Sequence, residues 1–260
     1  MALPLLKIPW QPYLAEFIGT ALLILVGLSV VIVDFGAGSP VVTWLPDAGM
    51  RRLITGFLFG STGALIAVSP VGKISGAHIN PVVTLAFYLK NKLTLRDTFG
   101  YILAQFAGAV VGAWPLLLWG AAGRSVNFGV TVPGIGDGNW AALGGEVLTT
   151  MGLILGLFLF LGHKRLRPFT PLLFPFLYAL MVYLEAPLSG TSTNPARSFG
   201  PAVIAGVWQG WWIYLIGPLA GMLISLCLLE FDGLKKFKVE VAKIYHFSHD
   251  RHGIFRNHCR

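Results

Sequence analysis

The sequence predicts an all-α membrane protein of six transmembrane helices plus two re-entrant half-helices, arranged as an inverted repeat. Three observations predict it. The 260-residue chain is 55% hydrophobic and only 12% charged, with mean hydropathy +0.72, whereas a soluble domain carries about 25% charge. Its apolar residues fall into runs near the roughly 20 helical residues that cross a bilayer. Two Asn-Pro steps, Asn80-Pro81 and Asn194-Pro195, interrupt the chain at corresponding places in its halves.

The runs near residues 12–33, 53–71, 98–120, 140–162, 169–186 and 211–229 are the six spans. Little precedes the first except Lys7, and no small-residue cleavage site follows it, so it reads as a retained helix. Pro168, Pro171 and Pro175 crowd the start of the fifth, which membrane helices tolerate better than soluble ones. Each Asn-Pro step is a well-formed helix start, because Asn is a preferred N-cap and Pro suits the first helical position. The apolar stretches that follow, Pro81–Leu89 and Pro195–Ala205, would measure about 13 and 16 Å, so end to end they cover the ~30 Å of hydrocarbon. Irregular backbone at membrane depth survives only where protein buries it or water lines it. Two such breaks therefore predict an enclosed aqueous path.

The halves match in order. Glu16 opens the first span and Glu146 stands similarly in the fourth; after each break come Gln105-Phe106-Ala107-Gly108 and Pro218-Leu219-Ala220-Gly221. Three spans, an odd number, separate the breaks, so the second loop enters from the opposite side to the first. The expected organisation is a channel domain over 1–232, with repeat one at about 10–120 and repeat two at about 138–230, and a basic cytoplasmic tail over 233–260. Placing both termini in the cytoplasm of a multi-pass cell-membrane protein puts fifteen of the nineteen Lys and Arg inside, leaving Arg51, Arg52, Arg124 and Arg197 outside. The net charge of +8 is thus a topology signal, and no soluble basic domain is present to bind nucleic acid. Cys227 and Cys259 make no disulfide framework.

The half-helix N-termini would meet near mid-bilayer, each with roughly half a positive charge. The Asn80 and Asn194 carboxamides could donate there to water while cations are repelled. The loops themselves, Ser75-Gly76-Ala77-His78-Ile79-Asn80-Pro81-Val82-Val83-Thr84 and Thr191-Ser192-Thr193-Asn194-Pro195-Ala196-Arg197-Ser198, resemble the two signature loops of the aquaporin, or major intrinsic protein, family. The resemblance covers almost the whole chain, including Glu16, Glu146, Gln105 and Gly217-Pro218, and departs from pattern at Val82, where the family usually has Ala. It implies the aquaporin-like right-handed bundle, a homotetramer with one pore per subunit, and passive conduction of water without any cofactor.

The resemblance further implies an outer constriction built from Arg197, from Thr191 in the second loop, from Val182 in the fifth span, and from Phe59 or Gly60 in the second. Water-selective members commonly have His where Val182 stands, so the filter is expected to be less polar, admitting small neutral solutes beside water. Ser198 and Tyr214 look water-like, whereas Leu215 does not. A glycerol-, urea- or ammonia-type facilitator is the competing reading. Glu16 and Glu146 are expected to accept amide bonds from the loops, and His78 to be a loop partner in place of a metal ligand or gate. His246, His249, His252 and His258 read as solvated, in a tail able to touch anionic lipid. A secondary transporter would need ionisable coupling sites, and only Glu16 and Glu146 are expected in the spans. No His, Cys or Asp grouping there suggests an enzyme or a metal site.

Overall fold

The computed structural model describes residues 9–134, 136 and 138–245. Lys7, Cys259 and the four tail histidines lie outside these residues. Eleven α-helices are described: α1 (Trp10–Phe35), α2 (Pro40–Trp44), α3 (Ala48–Val68), α4 (Pro70–Ser75), α5 (Pro81–Leu89), α6 (Leu95–Ala113), α7 (Gly120–Ser125), α8 (Gly138–Gly162), α9 (Thr170–Ser189), α10 (Pro195–Ala205) and α11 (Ile213–Leu228). The six spans are α1, α3, α6, α8, α9 and α11; α5 and α10 are the half-helices. α1, α8 and the helical stretches Leu95–Ser125 and Arg167–Ser189 are each long and apolar enough to cross a bilayer on their own, whereas α11 has only 16 residues.

Helix ends follow local chemistry. Asp47 caps α3 by accepting the Met50 amide at 2.6 Å, so that span begins five residues before its apolar run and takes Arg51 and Arg52 into the helix. It stops where Ser69 precedes Pro70, since the residue before proline leaves the helical region. Thr94 caps α6 through the Asp97 amide. Pro175 and Pro187 lie inside α9, and the helix runs through both.

Beside a buried apolar core, the outer helix faces expose large apolar side chains, as a soluble bundle does not. Leu14, Ile18, Leu22 and Val26 form an exposed stripe on α1, and Leu172, Phe176, Leu180 and Leu184 form one on α9; their i, i+4 spacing marks one helix face. Small and polar residues face inward, including Glu16, Gly19, Thr20 and Gly27. Lipid is as apolar as leucine, so close backbone approach and buried hydrogen bonds must hold the helices together.

That approach is repeated in both halves. A Cβ at Gly108 or Gly112 would overlap the α1 backbone at Phe17 and Ala21, and one at Gly221 would overlap the α8 backbone at Val147. Gly56 and Gly60 do the same for α3 against Tyr178 and Phe174 of α9. The principal pairs are therefore α1 with α6, α8 with α11, and α3 with α9 across the pseudo-axis. The half-helices interlock the repeats, α5 packing on α11 and α10 on α6.

Replacing Gly60 by Leu is expected to lower stability by about 3 kcal/mol or more, since over-packing a close contact costs roughly 1–3 kcal/mol even where side chains can yield and here the obstacle is backbone. The thermal unfolding midpoint in detergent measures it; an unchanged midpoint would contradict the close α3–α9 approach.

Candidate functional site

The two loops have one design. In the first, Gly76 (φ 84°), Ala77 (φ 54°) and Ile79 (φ 41°) lie in the left-handed region; in the second, Gly190 (φ 85°), Thr191 (φ 53°) and Thr193 (φ 53°) do so at the same distances from Asn. This conformation is unfavourable for residues with a Cβ, and most so for the β-branched Ile79, Thr191 and Thr193. It persists because it turns consecutive amides toward one acceptor. Glu16 accepts the His78 amide at 2.9 Å and the Ile79 amide at 2.7 Å. Glu146 accepts those of Ser192 at 2.7 Å and Thr193 at 2.8 Å. Both carboxylates are fully buried.

The surrounding bonds repeat as well. Tyr101 of α6 donates to the Ser75 carbonyl at 2.7 Å, and Tyr214 of α11 to that of Ser189 at 2.8 Å. Tyr214, whose identity suggested a water channel from sequence, is thus a loop anchor with a repeat counterpart. The side chain two residues before each Asn meets the one four residues after it: His78 Nδ1 lies 3.1 Å from Thr84 Oγ1, and Ser192 Oγ 2.6 Å from Ser198 Oγ. His78 also stacks on Phe87 at 4.7 Å. Among the described residues no cluster of His, Cys, Asp or Glu could hold a metal ion.

The half-helix tips meet through their caps. Asn80 Oδ1 accepts the Val82 amide at 2.9 Å, and Asn194 Oδ1 those of Ala196 at 3.1 Å and Arg197 at 3.3 Å. Each carboxamide nitrogen crosses to the opposite loop: Asn80 Nδ2 donates to the Thr193 carbonyl at 2.9 Å, and Asn194 Nδ2 to that of Ile79 at 2.8 Å. A carboxamide carries two N–H donors, so one on each Asn is left for another acceptor. Pro81 and Pro195, at the first helical positions, are buried beside them.

Two cavities flank this junction. The inner one, about 40 Å³, is lined by Asn80 and Asn194 with Phe59, Gly60, His78, Val83 and others. The outer one, about 230 Å³, is lined by Phe59, Val182, Thr191 and Arg197 among others. Phe59 and Tyr178 wall both. The structure therefore brings Arg197, Thr191, Val182 and Phe59 together, with the guanidinium carbon 5.8 Å from the centre of the Phe59 ring, within cation–π range. Gly60 is the exception. Its Cβ direction is occupied by the Phe174 backbone, because adjacent residues on a helix point about 100° apart, so Gly60 serves helix contact and Phe59 faces the arginine. Val82 is fully buried and lines neither cavity; its extra bulk is absorbed by the core.

Three features escaped the sequence reading. Arg197 Nη1 donates to the Gly129 carbonyl at 2.6 Å, from a connection whose Asn127, Phe128 and Gly129 all have positive φ; the Asn-x-Gly pattern was the available signal. Tyr178 lies one turn before Val182, and its hydroxyl is 2.8 Å from Thr193 Oγ1. Glu185 of α9 is a further buried carboxylate, as are Asp34 of α1 and Asp97 of α6, which corrects the expectation that only Glu16 and Glu146 occur in the spans; Glu185 is the one beside Thr191. It accepts the Thr191 hydroxyl at 2.5 Å, and its Oε1 has no hydrogen-bond partner among the described residues.

Comparison with known proteins places this geometry. The family model described as Major intrinsic protein matches residues 6–228. Aquaporin-4 of Mus musculus is 34% identical over 227 residues, covering 85% of this chain and 67% of that protein. The lens fiber major intrinsic protein of Gallus gallus is 34% identical over 227 residues, covering 85% of this chain and 80% of that protein. Among solved structures, the aquaglyceroporin from Plasmodium falciparum shares the fold with TM-score 0.68 at 19% identity, over 88% of this chain and 98% of that one.

Glu146→Leu is expected to prevent stable folding: it strands two loop amides and the Ser189 hydroxyl, which donates at 2.6 Å, and hydrogen bonds to a charged group are worth about 1.5–3 kcal/mol each. Glu146→Gln, retaining one acceptor oxygen, should fold with a lowered midpoint. Equal unfolding midpoints for the wild-type and Leu chains would contradict a supporting role.

Proposed function

The chain belongs to the major intrinsic protein family of membrane channels, and from that premise we propose that water is its main permeant, moving in single file past Asn80 and Asn194 between the two cavities. It is a multi-pass membrane protein acting as a passive channel, not an enzyme. The observation that carries the reading is the reciprocal pair of bonds from Asn80 to Thr193 and from Asn194 to Ile79. These fix both carboxamides side by side, each with one N–H to spare.

Water at that point accepts from both carboxamides through its oxygen, which turns its own protons away from the junction and interrupts a donor chain along the file. The half-helix N-termini add roughly half a positive charge each, so a cation or proton meets repulsion where it has lost most of its hydration. Arg197, 5% exposed, adds a full positive charge at the outer constriction. That buried positive charge is retained because the Gly129 carbonyl and the Phe59 ring face it.

The filter in this reading is Phe59, Val182, Thr191 and Arg197. Phe59 and Val182 give it an apolar wall opposite a guanidinium donor, a pairing suited to solutes with one alkyl and one polar edge. Glycerol and urea are therefore secondary permeants. Glu185 holds the Thr191 hydroxyl and so keeps that donor engaged behind the constriction. The face carrying Lys90, Lys164 and Arg167 is cytoplasmic by charge bias, the membrane is the cell membrane, and the assembly is a homotetramer with a pore in each subunit.

Vesicles carrying the protein should shrink under osmotic shock faster than empty ones, at a rate independent of any ion gradient; gradient dependence would favour a coupled transporter. Val182→His is expected to reduce glycerol and urea flux about tenfold with water flux changed less, since a pocket differing by a few atoms discriminates roughly 10–200-fold. Undiminished solute flux would refute the filter. Glu185→Leu, which frees the Thr191 hydroxyl, should change the solute-to-water ratio, whereas Glu185→Gln, which still accepts, should leave it close to wild type.

A further inference from the structure

The stretch after α11 does not hang free of the bundle. From residue 239 it runs beneath the basic face and ends against the loop of the first Asn. Val239, Ala242 and Ile244 are 9%, 0% and 5% exposed and belong to the main hydrophobic core. Two hydrogen bonds fasten the segment to that loop. His78 Nε2 lies 3.0 Å from the Ala242 carbonyl, which can only accept, so the ring nitrogen donates. The Ile244 amide donates to the Gly76 carbonyl at 2.9 Å. At its other end Arg167 pairs with Glu240 at 2.7 Å, and Phe237 packs where Gly162 leaves room. The segment thus spans the mouth from the second repeat to the first.

Its position relative to the permeation path is the point. Ile244 lines the inner cavity together with Asn80, Asn194 and His78. It is the sole contributor to that lining from beyond α11 among the described residues, and the cavity it lines is about 40 Å³, against about 230 Å³ for the outer one. The loop is also held from within the bundle, by Glu16 and Tyr101. Residues 239–245 have no regular secondary structure, so no helix or strand ladder has to break when they leave.

We propose that residues 239–245 are an autoinhibitory strap: Ile244, docked through Ala242 on His78 and through its own amide on Gly76, closes the inner mouth, and the channel conducts freely when the strap leaves. Departure removes an apolar side chain from the file and turns the His78 Nε2–H toward entering water. The inference rests on the channel reading above.

The test compares osmotic water permeability per protein in vesicles for four chains: full length, full length with Ile244→Gly, a chain ending at residue 238, and a chain ending at residue 245. If the strap is docked in about nine channels of ten, opening it raises permeability about tenfold. The expected result is that increase for Ile244→Gly and for the chain ending at 238, with the chain ending at 245 matching full length. Equal permeability in all four, or a fall on opening, overturns the strap while leaving the channel reading intact. Permeability at the level of protein-free vesicles in all four overturns the channel reading itself. Should the chain ending at 238 fail to fold, the point substitution decides alone.

Discussion

Two irregular loops are buried at membrane depth, where no solvent satisfies an open amide, and the rest of the structure answers that constraint. Glu16 and Glu146 each gather two consecutive loop amides. To present those amides, the loops accept left-handed backbone at residues that disfavour it. Tyr101 and Tyr214 take the loop carbonyls from the opposite side. With both loops thus clamped, the asparagine caps can face each other across the junction at bonding distance. A carboxylate in a membrane span usually suggests proton movement; the geometry of these two makes them anchors first.

The inverted repeat extends from topology to individual atoms. Each half uses one carboxylate, one tyrosine, one left-handed glycine and one pair of side chains bridging the loop to its half-helix. The halves differ where function demands it. Val83 and Arg197 hold equivalent third positions of α5 and α10, yet Val83 lines the inner cavity and Arg197 the outer one. His78 and Ser192 are equivalent too, and only His78 lies in the loop against which residues 242–244 pack. Asymmetry is thus carried by a few side chains on a common backbone, giving the proposed path a charged outer constriction and an inner mouth that the chain's own end can cover.

Packing without a hydrophobic drive between helices explains the glycines. Those on α3, α6 and α11 bring backbones within contact of α9, α1 and α8, and side chains are left free to point either at lipid or at the cavities. On α3 the division falls between neighbours, Gly60 serving the helix contact and lining only the inner cavity, Phe59 walling both cavities beside Arg197.

The sequence by itself determined the class, the six spans, the two half-helices and their opposed sense, because hydropathy and the Asn-Pro caps act locally and need no partner to be read. The same local chemistry pointed to Asn80, Asn194, Arg197, Glu16 and Glu146. What only the tertiary structure decided lies between elements distant in the chain. Phe59 and Gly60 are adjacent letters, and which of them meets Arg197 depends on how α3 crosses α9. The capture of Arg197 by Gly129 and of Thr191 by Glu185 depends on where a connection and a helix face come to rest. The packing of Ala242 and Ile244 under His78 joins residues 164 positions apart, in a stretch whose basic composition reads as solvated tail. No periodicity encodes such contacts, since they arise only when the bundle closes and leaves one mouth for the chain to cross.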